Sequence, residues 1–159
     1  MRWLWLSVLV IILDQLSKFF ISENLALKPP VELTSWLNLV LAHNTGAAFS
    51  FLGDAGGWQR WFFAILAGVV SIVLIVWILK LPKKAVWMAS ALALILGGAI
   101  GNLIDRVRFG HVVDFIDFHI DTWHFATFNI ADAAISVGAV MLLIDAFFLS
   151  THESESDNS

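Results

Sequence analysis

Four apolar runs, separated by polar intervals, set the plan of the chain. From Trp3 to Ile21 only Ser7, Asp14, Gln15, Ser17 and Lys18 interrupt an apolar sequence, and as a helix this run reaches roughly 28 Å, the thickness of a bilayer core. The runs Trp58 to Leu79, Ala85 to Ile104 and Phe128 to Leu149 are also long enough to span. Arg2 ahead of the first run raises the competing reading of a cleaved signal peptide. No small-residue A-x-A site follows, however, and the polar residues keep to the helical pattern, so this segment is expected to persist as a first span.

The interval from Ser22 to Gly57 is the longest polar one, and Pro29-Pro30 gives it an extended, non-helical entry. Val31, Leu33, Leu37, Leu39 and Leu41 then recur largely at every second position, which predicts strands. Asn44-Thr45-Gly46 reads as the turn that follows, and Ala47 to Phe51 resumes an apolar run before Gly53-Asp54-Ala55-Gly56-Gly57. The expected fold class is therefore mainly α and integral to a membrane: four transmembrane helices with a small outer-side β-cradle on the membrane surface. Residues 1–150 are expected to form one membrane-embedded domain, with outer loop 22–57, and the acidic tail 151–159 to be a disordered cytoplasmic segment.

Composition strengthens the membrane reading. Of 159 residues, 59% are hydrophobic and 14% charged, and the mean hydropathy of +0.83 excludes an ordinary soluble domain. A net charge of -4 leaves no basic footprint for nucleic acid. Without cysteine there is no disulfide, no thiolate nucleophile and no Cys-ligated zinc. Trp3, Trp5, Trp58, Trp61, Trp77 and Trp87 fall near the ends of the apolar runs, where indoles favour the headgroup level. Basic residues are spread over both sides, but the Lys80 to Lys84 connector is dominated by lysine. That places both termini inside, and the 22–57 and 105–127 intervals together on the outer side.

Polar residues gather on that side. Asn102 and Asp105 are three apart at the end of the third span, Asn129 and Asp132 three apart at the start of the fourth, and each pair is expected to share a helix face. Asp114 is expected in a short connecting loop between them. Two carboxylates close together share a proton, so one can take a proton from water while the other donates to a carbonyl oxygen or a leaving amine. Amides can hold a water or steady a carboxylate without adding charge. Asp14 and Lys18, one turn apart, read equally as a helix-internal ion pair and as support for this site. Gly97, Gly98 and Gly101 suit close helix packing.

Other chemistries find little support. There is no G-x-S-x-G elbow, and His43, His111, His119, His124 and His152 contain no H-E-x-x-H, so no metal site and no cofactor is expected and each histidine reads as an interfacial polar residue. Membrane carboxylates also serve proton-coupled transport, and the pair alone does not choose between transport, a lipid- or cation-binding scaffold and catalysis. Against transport stand the short chain, the lack of an evident inverted repeat, and ionisable groups at one surface rather than the midplane.

Five blocks in order carry a resemblance over nearly the whole chain: Asp14-Gln15-Leu16-Ser17-Lys18, Asn44-Thr45-Gly46-Ala47-Ala48-Phe49, Gly101-Asn102-Leu103-Ile104-Asp105-Arg106, Val112-Val113-Asp114-Phe115 and Phe128-Asn129-Ile130-Ala131-Asp132. The sequence resembles lipoprotein signal peptidase, the type II signal peptidase of bacteria. The resemblance implies an aspartyl endopeptidase, multi-pass in the bacterial plasma (inner) membrane, with its active site near the periplasmic face. Its substrate would be a diacylglyceryl-modified prolipoprotein held with membrane lipid and cut before the lipidated cysteine, and globomycin-type cyclic peptides would inhibit it. Asp114 and Asp132 match the catalytic pair. Asp14, Lys18, Asn44, Gly46, Asn102, Asp105, Arg106 and Asn129 match the residues that line and support it. The stretch Asp117 to Phe125 matches no motif.

Overall fold

The computed structural model describes residues 3–26, 28–46, 56–121 and 123–149. The expected apolar run from Ala47, the glycine-rich stretch up to Ala55 and the 151–159 tail lie outside these residues. Among those described, four helices are long and apolar enough to cross a bilayer: α1 (Leu4–Leu25), α2 (Trp58–Lys80), α3 (Val86–Phe109) and α4 (Ile130–Ile144), the last continued by a π-helical turn, Asp145–Leu149. Outward-facing Leu, Ile, Val and Phe side chains on all four are exposed in the isolated chain, as lipid-facing positions must be. The protein is a multi-pass membrane protein. Trp5, Trp58, Trp61, Trp77 and Trp87 stand exposed near helix ends, whereas Trp3 is half-buried.

Helix α3 lies at the centre and packs against the other three. Small residues permit this, since Ala89, Ala91, Ala93, Gly97, Gly98 and Gly101 are all buried. A Cβ on Gly98 would run into the Ala131 carbonyl oxygen of α4, and one on Gly101 would come within 2.6 Å of Asp14 Oδ2 of α1. In hydrocarbon the association of helices depends on such backbone approach, because lipid tails are as apolar as the side chains they meet. Leu74 and Ile78 of α2 pack with Leu92, Ala93 and Leu96 of α3 to form the apolar centre.

At one end of the helices lies one antiparallel sheet in the order β1 (Val31–Thr34), β2 (Leu37–Asn44), β3 (Val112–Ile120) and β4 (Trp123–His124). The strands expected between Val31 and Ala42 are present. Since β2 follows α1 and β3 follows α3, their pairing, Leu37 opposite Phe118 through Asn44 opposite Val112, puts both intervals on the same side of the helices. Ile21 and Leu25 of α1 pack with Phe115, Leu39, Leu41 and Ile130, fastening the sheet to the helix ends.

Four placements differ from the expectation. Asp114 is not in a loop but within β3, whose residues 112–115 are all buried and so lack the alternation that marks a one-sided strand. The helix α1 continues four residues past Ile21, and α3 five past Ile104, because helical hydrogen bonding does not stop where hydrocarbon does. Asn129 is not on a helix face with Asp132: its backbone is extended (φ -134°, ψ -176°), and it caps α4.

The packing makes a paired prediction. Gly98→Ala drives a methyl into the α4 backbone and is expected to lower the thermal midpoint in detergent, with a cost of about 1–3 kcal/mol for overpacking. Gly68→Ala on α2 meets open space and is expected to leave the midpoint unchanged or higher. Equal effects of the two would contradict the close α3–α4 approach.

Candidate active site

The side chain of Asn129 occupies the centre of the polar cluster, and no part of the residue is exposed. As the N-cap of α4 its Oδ1 accepts from the Asp132 backbone N–H at 3.0 Å, while Asp132 Oδ2 accepts from the Asn129 N–H at 3.3 Å. This reciprocal capping box satisfies two backbone donors that a helix start otherwise leaves open. It also fixes the Asp132 carboxyl over the first turn. The Asn129 amide Nδ2 donates to Asp114 Oδ1 at 2.6 Å, with longer contacts of 3.3 Å to the Val113 carbonyl and to Asn102 Oδ1. One amide thereby touches the groups that carry both carboxylates.

Asp114 reaches this point because β3 is tied to the residues ahead of α4. The Phe115 and Ile116 N–H groups donate to the Phe128 carbonyl at 3.1 and 2.9 Å, and the Phe128 N–H donates to the Ile116 carbonyl at 3.1 Å. From β2, Asn44 Nδ2 donates to Asp114 Oδ2 at 3.0 Å. On α3, Asn102 Nδ2 donates to Asp132 Oδ1 at 2.7 Å. Each carboxyl thus receives hydrogen bonds from asparagines and, among the described residues, from no lysine or arginine. Burial, then the neighbouring Asp132 charge, push the Asp114 carboxyl up to about 6, against the opposing hydrogen bonds from Asn44 and Asn129. Such a group holds a proton in water-poor surroundings at pH values where an ordinary aspartate has lost it.

A second layer of charge lies beneath. Lys18 Nζ sits 2.8 Å from Asp14 Oδ2, 2.9 Å from Asp105 Oδ2 and 3.0 Å from Asn102 Oδ1, and all three charged side chains are buried. Asp14 Oδ1 also accepts from the Ala131 N–H at 2.9 Å, and Asp105 Oδ2 from the Val113 N–H at 3.1 Å. The pair Asp14–Lys18 is therefore both a helix-internal ion pair and a brace holding α3, α4 and β3 at their junction. Arg106 Nη2 donates to the Gly46 carbonyl at 3.2 Å, and Gly46 N–H donates to Asn44 Oδ1 at 3.0 Å, an Asx turn at the end of β2.

Two adjoining cavities meet at the cluster. One, of about 580 Å³, is lined by Asp132, Arg106, Asn44 and the start of α4; the other, of about 330 Å³, by Asp114, Ala42 and His43; Phe125, Ala126 and Thr127 wall both. A third, of about 390 Å³, contains Lys18 and Asp105 but neither Asp114 nor Asp132.

The structure gathers Asp14, Lys18, Asn44, Gly46, Asn102, Asp105, Arg106, Asp114, Asn129 and Asp132 into one connected region, and leaves Asp145 half-buried in the turn that follows α4. Sequence reasoning missed two contributors. Gln15 Nε2 donates to Asp105 Oδ1 at 2.9 Å and to the Gly101 carbonyl at 3.2 Å, and its place beside Asp14 in the first span was the available signal. Arg60 ties α2 to α3, since its Nε and Nη2 donate to the Arg106 and Val107 carbonyls at 2.8 and 2.7 Å, capping the end of α3. A cation at the end of one span facing the end of the next is the pattern that would have found it.

Comparison with known proteins finds relatives over nearly the whole chain. Residues 6–148 match the family described as Signal peptidase (SPase) II. The chain is 54% identical over 157 residues to a lipoprotein signal peptidase of Acinetobacter baumannii, covering 99% of this chain and 89% of that one. With a lipoprotein signal peptidase of Coxiella burnetii it shares 56% identity over 142 residues, covering 89% and 87%. A solved bacterial membrane enzyme superposes with a TM-score of 0.82 at 34% identity, covering 94% of this chain and 89% of that one.

The charge layer yields a stability prediction. Lys18→Met leaves Asp14 and Asp105 buried without their counter-charge, and removing one partner of a buried pair costs about 3–5 kcal/mol. A clear drop in thermal midpoint in detergent is expected; an unchanged midpoint would show that the cluster tolerates two bare carboxylates.

Proposed function

This chain belongs to the signal peptidase II family of membrane peptidases, and from that premise we propose that Asp114 and Asp132 form an aspartyl dyad that removes the signal peptide from diacylglyceryl-modified prolipoproteins, cutting before the lipidated cysteine. The observation that carries this reading is the Asn129 amide, which donates to Asp114 while its oxygen and backbone N–H engage Asp132. That bridge holds two carboxyls at the junction of two cavities. Asp114, pushed up to about 6, supports a dyad that carries one proton.

In the proposed reaction a water between the carboxyls attacks the scissile carbonyl carbon. The ionised aspartate takes the water proton as the new C–O bond forms, and the protonated aspartate gives its proton to the carbonyl oxygen, producing a neutral gem-diol. The C–N bond then breaks. The aspartate that accepted the first proton delivers one to the departing cysteine nitrogen, and the other recovers a proton from a diol hydroxyl as the signal-peptide carboxyl forms. Asn44, Asn102 and Asn129 keep the carboxyls oriented throughout, and Arg106 and Gly46, beside the Asp132 cavity, supply partners for substrate backbone or lipid carbonyls.

Substrate anchoring fits the placement of the dyad at the helix ends. Acyl chains of a diacylglyceryl group remain in the bilayer and fix the height of the adjoining peptide bond, so the membrane itself performs much of the positioning. In this reading residues 1–150 act as one peptidase domain of the bacterial inner membrane. Both termini are cytoplasmic and the dyad faces the periplasm, an orientation supported by the Lys80 to Lys84 turn at the opposite end of the helices from the sheet. A globomycin-type cyclic peptide would occupy the same cavities.

The deciding experiment is cleavage of a diacylglyceryl-modified prolipoprotein by purified protein. Asp114→Asn and Asp132→Asn are each expected to lower turnover by at least about a hundredfold, the usual contribution of acid–base groups, while keeping the wild-type thermal midpoint within a few degrees. Retained cleavage by either folded variant would remove that aspartate from the mechanism. Absence of cleavage by the folded wild type would reject the substrate class.

A further inference from the structure

The β3–β4 hairpin carries a polar cluster that the dyad does not use. Asp117 and His119 are two apart on β3 and project from the same side of the strand, while His124 lies opposite His119 in the register of β4. His124 Nδ1 is 2.9 Å from Asp117 Oδ1, and His119 Nδ1 is 3.9 Å from Asp117 Oδ2. The two imidazole rings stack at a centroid distance of 5.1 Å, and one donor atom from each of the three residues lies within 4.8 Å of the others. Both His119 Nδ1 and Asn38 Oδ1 are buried without a hydrogen-bond partner among the described residues, and Asn38 Nδ2 donates to Asp117 Oδ2 at 3.2 Å. Buried nitrogen and oxygen acceptors left open beside a carboxylate are what a bound cation would satisfy.

We propose that Asp117, His119 and His124 form a binding site for a divalent transition metal, with Zn²⁺ the ion that two imidazoles and one carboxylate suit best. Zinc bonds of about 2.0–2.1 Å place tetrahedral donors roughly 3.3 Å apart, between the two Asp117–histidine separations present here. Binding requires both Nδ1 lone pairs, so each ring binds as the neutral tautomer with its proton on Nε2, and the His124 Nδ1–Asp117 hydrogen bond gives way to two bonds to the metal. A water completes the fourth position.

The site has a structural consequence. Strand β4 is only two residues long, and Asp121 in the connection has a left-handed backbone (φ 52°). A metal joining His119 to His124 would close this short hairpin firmly. Phe125, Ala126 and Thr127 follow directly and wall both cavities at the dyad. His124 itself lines the Asp114 cavity, so metal occupancy would steady that wall directly.

Calorimetric titration of Zn²⁺ into the full chain in detergent, with any affinity tag removed, tests the assignment. One equivalent is expected to bind with micromolar or tighter affinity, and Zn²⁺ to raise the thermal midpoint. His119→Ala and His124→Ala are each expected to weaken binding at least tenfold, whereas His111→Ala, at the tilted His43–His111 ring pair just ahead of β3, leaves it intact. Co²⁺ added to the wild type supplies a readout that needs no variant, through the visible absorption of a low-symmetry nitrogen–oxygen site. Binding weaker than micromolar, featureless Co²⁺ spectra, or wild-type Zn²⁺ affinity retained in both hairpin variants would overturn the proposal.

Discussion

The placement of both carboxylates at the polar end of this molecule depends on the side chain of Asn129. It is the cap of α4, a donor to Asp114 and, through the capping box, the anchor of Asp132. Because the residue is wholly buried, its amide has no water to fall back on, and any displacement of β3 or α4 leaves polar groups open in a region of low dielectric. The positions of the two carboxylates are thus coupled through one planar group. An amide performs this task without a charge of its own, so the site retains two acidic groups whose mutual repulsion can be relieved by a shared proton.

The bilayer explains why the support is built as it is. Helices that cannot use the hydrophobic effect against one another associate through small residues and polar contacts, and both occur on α3: Gly98 and Gly101 admit the backbones and side chains of α4 and α1, and Asn102 and Asp105 bind across the same interfaces. The Lys18 ammonium, set between Asp14 and Asp105, leaves that buried layer with a formal charge of minus one rather than minus two. Its carboxylates also accept backbone N–H groups of Ala131 and Val113, so charge and fold are secured by the same atoms.

Spans were legible because length and hydropathy suffice to define them, and the strands 31–34 and 37–44 because Val31, Leu33, Leu37, Leu39 and Leu41 recur at alternate positions. Strand β3 was not legible as a strand. Its inner residues are covered on both sides, and its pairing partner lies beyond two membrane crossings, so neither alternation nor a local turn announces it. Asn129 was recognisable as a polar residue at the start of a span, but its role as a cap depends on an extended backbone that a shared-face spacing argument misreads. Likewise the histidines at 119 and 124 looked unrelated by ligand spacing, since the hairpin, not a helix, brings them together. Residue types identified the chemistry, whereas tertiary pairing determined which residues meet.

The central claim is that Asp114 and Asp132 share a proton held near neutrality by burial and mutual charge. Infrared difference spectroscopy of the protein across a pH titration reads it directly, through the carbonyl stretch of a protonated carboxyl. A band present at pH 5 that titrates near pH 6, the position to which Asp114 is pushed, and that disappears in Asp114→Asn is the predicted result. Full ionisation of the wild type's carboxyls by pH 5, or a band that persists unchanged in both Asp114→Asn and Asp132→Asn, would contradict the account.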